Sequence, residues 1–186
     1  GRLVSILKTK NLGGYEFLAG IPGTVGGALA MNAGAKVDAA ILSSQREMKD
    51  IATEVVVLDK NGIERRFKKN DLKFSYRNSN LKPFIILSAK LKLKKASQED
   101  AKRTIRSILR QRYLNQEGRY PSAGSFFKNP EKGLAAGWLI DSCRLKGLKV
   151  GGAQVSTKHA NFIINADRAK AKDVVKLMEI VQRRVY

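Results

Sequence analysis

A chain of 186 residues is long enough for one full domain or two small ones, and 43% hydrophobic with 28% charged residues is the balance of a globular chain with a core. It carries 36 Lys and Arg against 16 Asp and Glu, a net charge of +20, so its field favours polyanions and phosphate-bearing ligands. One cysteine, Cys143, excludes an internal disulfide or a multi-cysteine metal site, and one histidine, His159, excludes a two-histidine metal centre.

The elements follow in chain order. Residues 3–8 suit a short helix, and residues 13–35 are rich in Gly and Ala. Residues 40–94 read as β. Val55 to Leu58 is apolar and β-branched, Lys60-Asn61-Gly62 is a hairpin turn, and Ile63 to Phe67 is the returning strand. Phe74 to Tyr76 and Phe84 to Leu93 continue the pattern, with Leu87, Ala89, Leu91 and Leu93 on one face opposite Lys90, Lys92 and Lys94. Ser97 N-caps a helix that runs to about Asn115, with Glu99 and Asp100 in its first turn and Ile105, Ile108 and Leu109 as its apolar positions. Gly118 and Pro121 end it. Ala135 to Cys143 is a short helix, Asn161 to Asn165 a buried strand, and residues 168–185 an amphipathic helix with Val174, Leu177, Met178, Val181 and Val185 as its stripe. The two halves divide near residue 95. The last helix reaches Tyr186 without a C-cap, so truncation is expected.

No apolar run approaches the about 20 residues of a membrane span. The opening GRLVSILKTK lacks a signal peptide's apolar stretch and cleavage site, so a cytoplasmic chain without a membrane partner is expected. Nucleic acid is an alternative partner that rests on charge alone. There is no basic tail and no RNA-binding aromatic signature, and solvated helix and strand faces that carry Lys and Arg are the plainer account of the charge.

Three segments carry candidate chemistry. Gly20-Ile-Pro-Gly-Thr-Val-Gly-Gly27 lets backbone approach a ligand closely and turns N–H groups toward an anion, with Thr24 offering a hydroxyl. Asn32 and Gly34 form a second turn. It is neither a Walker loop nor the dinucleotide fingerprint, and a turn packed tightly for structural reasons is the alternative. Arg77, in Phe74-Ser-Tyr-Arg-Asn-Ser79, suits a bidentate carboxylate fork, although an exposed surface arginine is the commoner case. In Ser122-Ala-Gly-Ser-Phe-Phe-Lys-Asn-Pro130, the paired phenylalanines can anchor the segment while Ser125 relays a proton. The alternative is a turn serine bonded to backbone. A Ser–His–Asp hydrolase is poorly supported, because no nucleophile elbow exists. His159 reads as a structural histidine that fixes a turn, and Cys143 as a small buried hydrophobe rather than a reactive thiol.

Taken together and in order, these segments resemble the UDP-N-acetylenolpyruvoylglucosamine reductase family. The similar stretches are Glu16 to Gly27 with Met31-Asn-Ala-Gly34, Tyr76-Arg77-x-Ser79, and Ala123-Gly-Ser-Phe-Phe-Lys-Asn-Pro130. They continue with Ala136-Gly-Trp-Leu-Ile-Asp141, Lys146-Gly147, Gly151-Gly152-Ala153 and His159-Ala-Asn-Phe-Ile-Ile-Asn165. The Ser-Thr-Lys-His-Ala-Asn-Phe form resembles the shorter, type II branch.

The resemblance implies an α+β fold. Residues 1–95 would be the second part of a two-part FAD-binding domain, and residues 96–186 the C-terminal α/β substrate-binding domain. It implies NADPH-driven, FAD-dependent reduction of UDP-GlcNAc-enolpyruvate to UDP-N-acetylmuramate, in peptidoglycan precursor synthesis. It needs no nucleic acid and no obligate protein partner. Gly20, Ile21, Pro22, Gly23, Thr24, Gly26, Gly27, Asn32 and Gly34 match the family's FAD-binding segment. Arg77 matches the arginine that stabilises the developing enolate, and Ser125 the serine that protonates it. Tyr76, Lys128 and Asn129 match substrate contacts, and no metal is implied. The family's first glycine-rich subdomain and its terminal catalytic glutamate have no counterpart here, and Glu179 is not that glutamate. A fragment unable to turn over alone is therefore expected. The competing readings are a basic nucleic-acid-binding domain, another flavoprotein such as a sugar or alcohol oxidase, and a non-catalytic scaffold.

Overall fold

The computed structural model describes residues 1–39, 42–130 and 133–186, with the side chains of 36–39 and 42–44 left aside. Ala40 and Ile41, at the head of the segment read as β, lie outside the described residues. The chain is a mixed α/β protein that forms two compact units, Gly1–Gln111 and Arg112–Tyr186.

The first unit opens with α1 (Arg2–Lys8) and β1 (Leu12–Gly13), then a 3-10 turn at Glu16–Leu18 that buries Phe17 and Leu18. Next come α2 (Val25–Ala30) and a hairpin of β2 (Gly34–Ala39) with β3 (Leu42–Glu47). The central sheet has β4 (Ala52–Leu58) between β5 (Glu64–Lys68) and β8 (Ile85–Leu91), all antiparallel. Two-residue strands β6 (Phe74–Ser75) and β7 (Asn78–Ser79) pair before β8, and β9 (Lys94–Lys95) returns to pair with β1. Helix α3 (Gln98–Asn115) carries the chain from one unit to the next.

Alternation sets the faces of β4. Val55 and Val57 are fully buried, while Glu54 on the other face pairs with Arg66 and Lys90 of the flanking strands. Asp59 closes the β4–β5 turn by accepting from the N–H groups of Asn61 and Ile63 and pairing with Arg65 at 2.8 Å. The face predicted for β8 holds at Ala89, Leu91 and Leu93, which pack on the core, and fails at Leu87, which is half exposed. A register shift explains this. Val56 faces Ser88 and Val57 faces Ile86, so Leu87 is the extra residue of a bulge and Ile86 takes the inward position.

Helix α3 begins as its sequence suggests, with the Ser97 hydroxyl accepting from the Asp100 N–H at 3.0 Å. Ala101, Ile105 and Ile108 are buried, but Leu109 is exposed, because about 100° per residue carries it past that stripe.

The second unit contains β10 (Ser122–Ser125), α4 (Ala136–Ser142), β11 (Lys149–Val150), β12 (Ala153–Val155), β13 (Phe162–Asn165) and α5 (Ala171–Val185). Its antiparallel sheet has the order β10-β13-β12-β11. Leu177 and Val181 of α5 pack with Ile140, Leu145, Val155 and Ile163, and Val174, Met178 and Val185 flank them. The helix starts at Ala171 rather than 168, because the Asp173 carboxylate caps it by accepting from the Lys170 N–H at 2.9 Å. Among the described residues no helix is long and apolar enough to cross a membrane.

Candidate functional site

Tyr15, Phe17, Leu18 and Ala19 anchor the glycine-rich segment by burial, and the chain surfaces at Gly20. Pro22, Gly23, Thr24 and Val25 are exposed. Gly23 sits at φ 122, and a Cβ built there would meet no atom within 4 Å, so the side over the loop is open. Gly20 also has positive φ. Among the described residues the N–H groups of Gly23 and Thr24 have no intramolecular acceptor. The Thr24 hydroxyl accepts from the Gly27 N–H at 3.0 Å and so caps α2, which leaves its own hydrogen free to donate outward.

Asn32 and Gly34 play an internal part. The Asn32 side chain is fully buried at φ 42. Its Nδ2 donates to Glu47 Oε2 at 2.9 Å and to the Ser75 carbonyl at 3.1 Å, and its Oδ1 accepts from the Lys49 N–H at 3.0 Å. Gly34 lies so close to β3 that a Cβ would stand 2.4 Å from the Arg46 carbonyl oxygen. Neither residue offers its side-chain position to a ligand.

The β6–β7 hairpin presents Tyr76 and Arg77 at its two-residue tip. It is tied to the α2–β2 turn at two further points. The Ser79 hydroxyl donates to the Ala30 carbonyl at 2.8 Å, and Arg77 Nη2 reaches the Gly34 carbonyl at 3.5 Å. Arg77 has φ 52, a left-handed conformation that costs a non-glycine residue about 1 kcal/mol. Its guanidinium carbon lies 5.0 Å from the centroid of the Tyr76 ring. Arg77 Nη1 is buried and has no hydrogen-bond partner among the described residues. A strained backbone that holds a partly desolvated, incompletely paired cation has the chemistry to accept an anionic group.

The second unit carries the serine segment. Ser125 ends β10 opposite Phe162 of β13, and it is exposed. Among the described residues its hydroxyl has no hydrogen-bond partner. Phe126 and Phe127 meet edge to face at 5.7 Å and pack on the second core, so the chain is pinned directly after the serine. Lys128 and Asn129 follow on the exposed side. Asn129 also serves α4, accepting from the Ala136 N–H at 3.0 Å.

His159 is structural. Its Nδ1 accepts from the Asn161 N–H at 3.2 Å, its ring packs on Phe162 at 4.7 Å, and burial pushes its pKa below the ordinary value. The α4 helix comes close enough that a Cβ at Gly137 would touch the His159 ring at 3.4 Å. Cys143, expected to be buried, is instead exposed, because it lies just past the end of α4, with its thiol near the Arg184 carbonyl.

Two residues in this unit had no assigned role from sequence. The buried Ser156 hydroxyl donates to Glu117 Oε2 at 2.8 Å and accepts from the N–H groups of Lys158 and His159. The Arg119 N–H, then Ser156, hold the Glu117 carboxyl below its usual range. Asn161 grips the segment that follows Ser125. A buried asparagine just before an apolar strand was the available signal, because such an amide must find partners.

Residues 116–186 match the family described as UDP-N-acetylenolpyruvoylglucosamine reductase, C-terminal domain. A UDP-N-acetylenolpyruvoylglucosamine reductase from Chlamydia trachomatis serovar D is 44% identical over 179 residues, covering 95% of this chain and 58% of the relative. The protein of the same name from Caldanaerobacter subterraneus is 42% identical over 185 residues, covering 98% of this chain and 58% of the relative. The crystal structure of UDP-N-acetylenolpyruvylglucosamine reductase (MurB) from Thermus caldophilus aligns with a TM-score of 0.86 at 41% identity, covering 98% of this chain and 64% of that one. The chain thus spans less than two thirds of the length of these relatives.

Proposed function

Because the chain belongs to the UDP-N-acetylenolpyruvoylglucosamine reductase family, we propose that it contributes to the FAD-dependent, NADPH-driven reduction of UDP-GlcNAc-enolpyruvate to UDP-N-acetylmuramate. The observation that carries this reading is Arg77, whose buried Nη1 lacks a partner among the described residues, at the tip of a strained hairpin.

The residues present fit the cofactor. The open side over Gly23 and the N–H groups of Gly23 and Thr24, unpaired among the described residues, suit a pyrophosphate or flavin edge, and a Cβ would fill that space. Gly20, Ile21, Pro22, Gly23, Thr24, Gly26 and Gly27 would hold it. When bound, FAD supplies a hydride donor that NADPH recharges. Asn32 and Gly34 belong to the wall behind this segment rather than to its ligand surface.

This chain's residues act on the charge and the proton. Hydride addition to the terminal carbon of the enolpyruvyl double bond moves the π electron pair onto the carbon beside the carboxylate. Arg77 is built to bind that carboxylate and to stabilise the enolate charge as it grows. The exposed, unpartnered Ser125 hydroxyl then gives its proton to the carbon, and solvent reprotonates the serine. Tyr76 on the first of these segments and Lys128 and Asn129 on the second would contact the sugar nucleotide. The net charge of +20 favours phosphate-bearing ligands of this kind.

The test is steady-state NADPH consumption by the native-length protein with FAD present. Consumption that depends on UDP-GlcNAc-enolpyruvate and yields one UDP-N-acetylmuramate per NADPH is expected. No dependence on the enolpyruvyl sugar, with salt-sensitive DNA or RNA binding instead, would replace this reading by a nucleic-acid-binding domain.

A further inference from the structure

We propose that Asn161 is a positioning residue that sets the place of the Ser125 hydroxyl by gripping the peptide groups of Phe126 and Phe127. The proposal rests on the proton-donor reading of Ser125. Strand β10 pairs with β13 through Ser122 opposite Ile164 and Ser125 opposite Phe162, with an irregularity between them. A ladder with such a bulge leaves the end of β10 loosely registered. Strand β13 begins only at Phe162, so regular pairing stops at Ser125.

Asn161 continues the ladder past that point. Its backbone carbonyl accepts from the Phe126 N–H at 2.9 Å. Its side-chain amide then stands in for a further strand residue. Oδ1 accepts from the Phe127 N–H at 2.9 Å, and Nδ2 donates to the Phe127 carbonyl at 2.8 Å. Three hydrogen bonds therefore fix the three successive peptide groups that follow the Ser125 Cα, all from one residue that is 4% exposed. Burial keeps water from competing for these groups. The amide's orientation is also determined, because the opposite flip would set oxygen against carbonyl and NH2 against N–H.

Asn161 is itself held. Its N–H donates to His159 Nδ1 at 3.2 Å, and α4 packs on it, with a Cβ at Gly137 only 3.6 Å from the Asn161 Cβ. The serine is exposed and has no partner of its own among the described residues, so its direction is inherited from this backbone. A displacement of about 1 Å in a reacting group can cost about 100-fold in rate.

The experiment uses the native-length protein with Ser125→Ala, Asn161→Asp and the double variant. Asn161→Asp keeps size and the Oδ1 acceptor but sets a carboxylate oxygen against the Phe127 carbonyl. Flavin reduction by NADPH is expected to stay within about 2-fold, while reoxidation by UDP-GlcNAc-enolpyruvate slows about 100-fold. Adding Asn161→Asp to Ser125→Ala is expected to slow reoxidation no further. Equal slowing of both half-reactions, or a full additional loss in the double variant, would overturn the proposal. Ser125→Ala slowing reoxidation while Asn161→Asp does not would overturn it and leave the serine role intact. Ser125→Ala without effect would overturn the serine role itself, and this proposal with it. A readout without variants covers the case in which Asn161→Asp fails to fold. Hydrogen exchange of the Phe126 and Phe127 amides in the native protein should match that of β13, and exchange at the rate of an open loop would overturn the proposal.

Discussion

The Asn32 side chain donates to the Ser75 carbonyl at 3.1 Å, across 43 residues of sequence. That bond joins the end of the glycine-rich segment to the strand that leads into Tyr76 and Arg77. The same amide holds Glu47 Oε2 and the Lys49 N–H, so three chain segments meet on one buried side chain. The surface proposed to hold the cofactor and the hairpin proposed to bind the carboxylate are thus parts of one rigid corner of the first unit.

Asn32→Ala should therefore destabilise well beyond a surface change. It removes the bonds to the Glu47 carboxylate, the Ser75 carbonyl and the Lys49 N–H and places alanine at φ 42. A loss of roughly 3 kcal/mol is expected in urea unfolding. Asn32→Gly removes the backbone strain but not the lost bonds and should fall between. A loss under about 0.5 kcal/mol would mean that this corner is held elsewhere.

Arg77 should separate stability from activity. Arg77→Gly releases the left-handed strain and should leave stability unchanged or raise it by up to about 1 kcal/mol. It should also lower kcat/KM at least about 100-fold. Arg77→Lys keeps the charge but loses the planar fork and should also lose most activity. Thermal unfolding and steady-state kinetics on the same preparations check both halves.

The open side over Gly23 is a test of cofactor binding that leaves the core alone. Gly23→Val places side-chain carbons over the loop at φ 122 and should weaken FAD binding about tenfold or more, read by flavin fluorescence. Thr24→Ala removes the cap of α2 and should cost about 1 kcal/mol, with Thr24→Ser retaining most of it. Unchanged FAD affinity in Gly23→Val would place the cofactor away from this segment.

His159 makes stability depend on pH in a defined direction. Burial lowers its folded pKa below the 6.5 of the free side chain, so the unfolded chain takes up the proton first as pH falls. Stability should decline as pH drops below 6.5 and flatten once the folded pKa is passed. Protonation also removes the Nδ1 acceptor for the Asn161 N–H. His159→Gln should flatten this leg of the unfolding profile, and a profile identical to the wild type would assign the pH dependence to other groups.

Much of this was legible in the sequence. Long elements with a clear period are legible: α3 appears where its cap and apolar spacing place it, and α5 where its apolar stripe does, though it starts at Ala171. The β4–β5 hairpin follows from its turn residues. Strands of two to four residues, such as β11 and β12, have too few positions for a period to register. The bulge that turns Leu87 outward depends on cross-strand register, which no local pattern encodes. In the candidate site, the glycines, Arg77 and Ser125 stood out because their residue types are unusual in context. Asn161 and Ser156 did not, because their work is done against residues 34 and 39 positions away.

The most direct measurement is an anaerobic flavin spectrum of the native-length protein through one turnover. The account predicts a bound flavin that NADPH bleaches and that UDP-GlcNAc-enolpyruvate, added next, recolours in step with product. It also predicts that Ser125→Ala bleaches normally and recolours slowly. A protein that binds no flavin after FAD is supplied, or one whose reduced flavin is left untouched by the enolpyruvyl sugar, would contradict it.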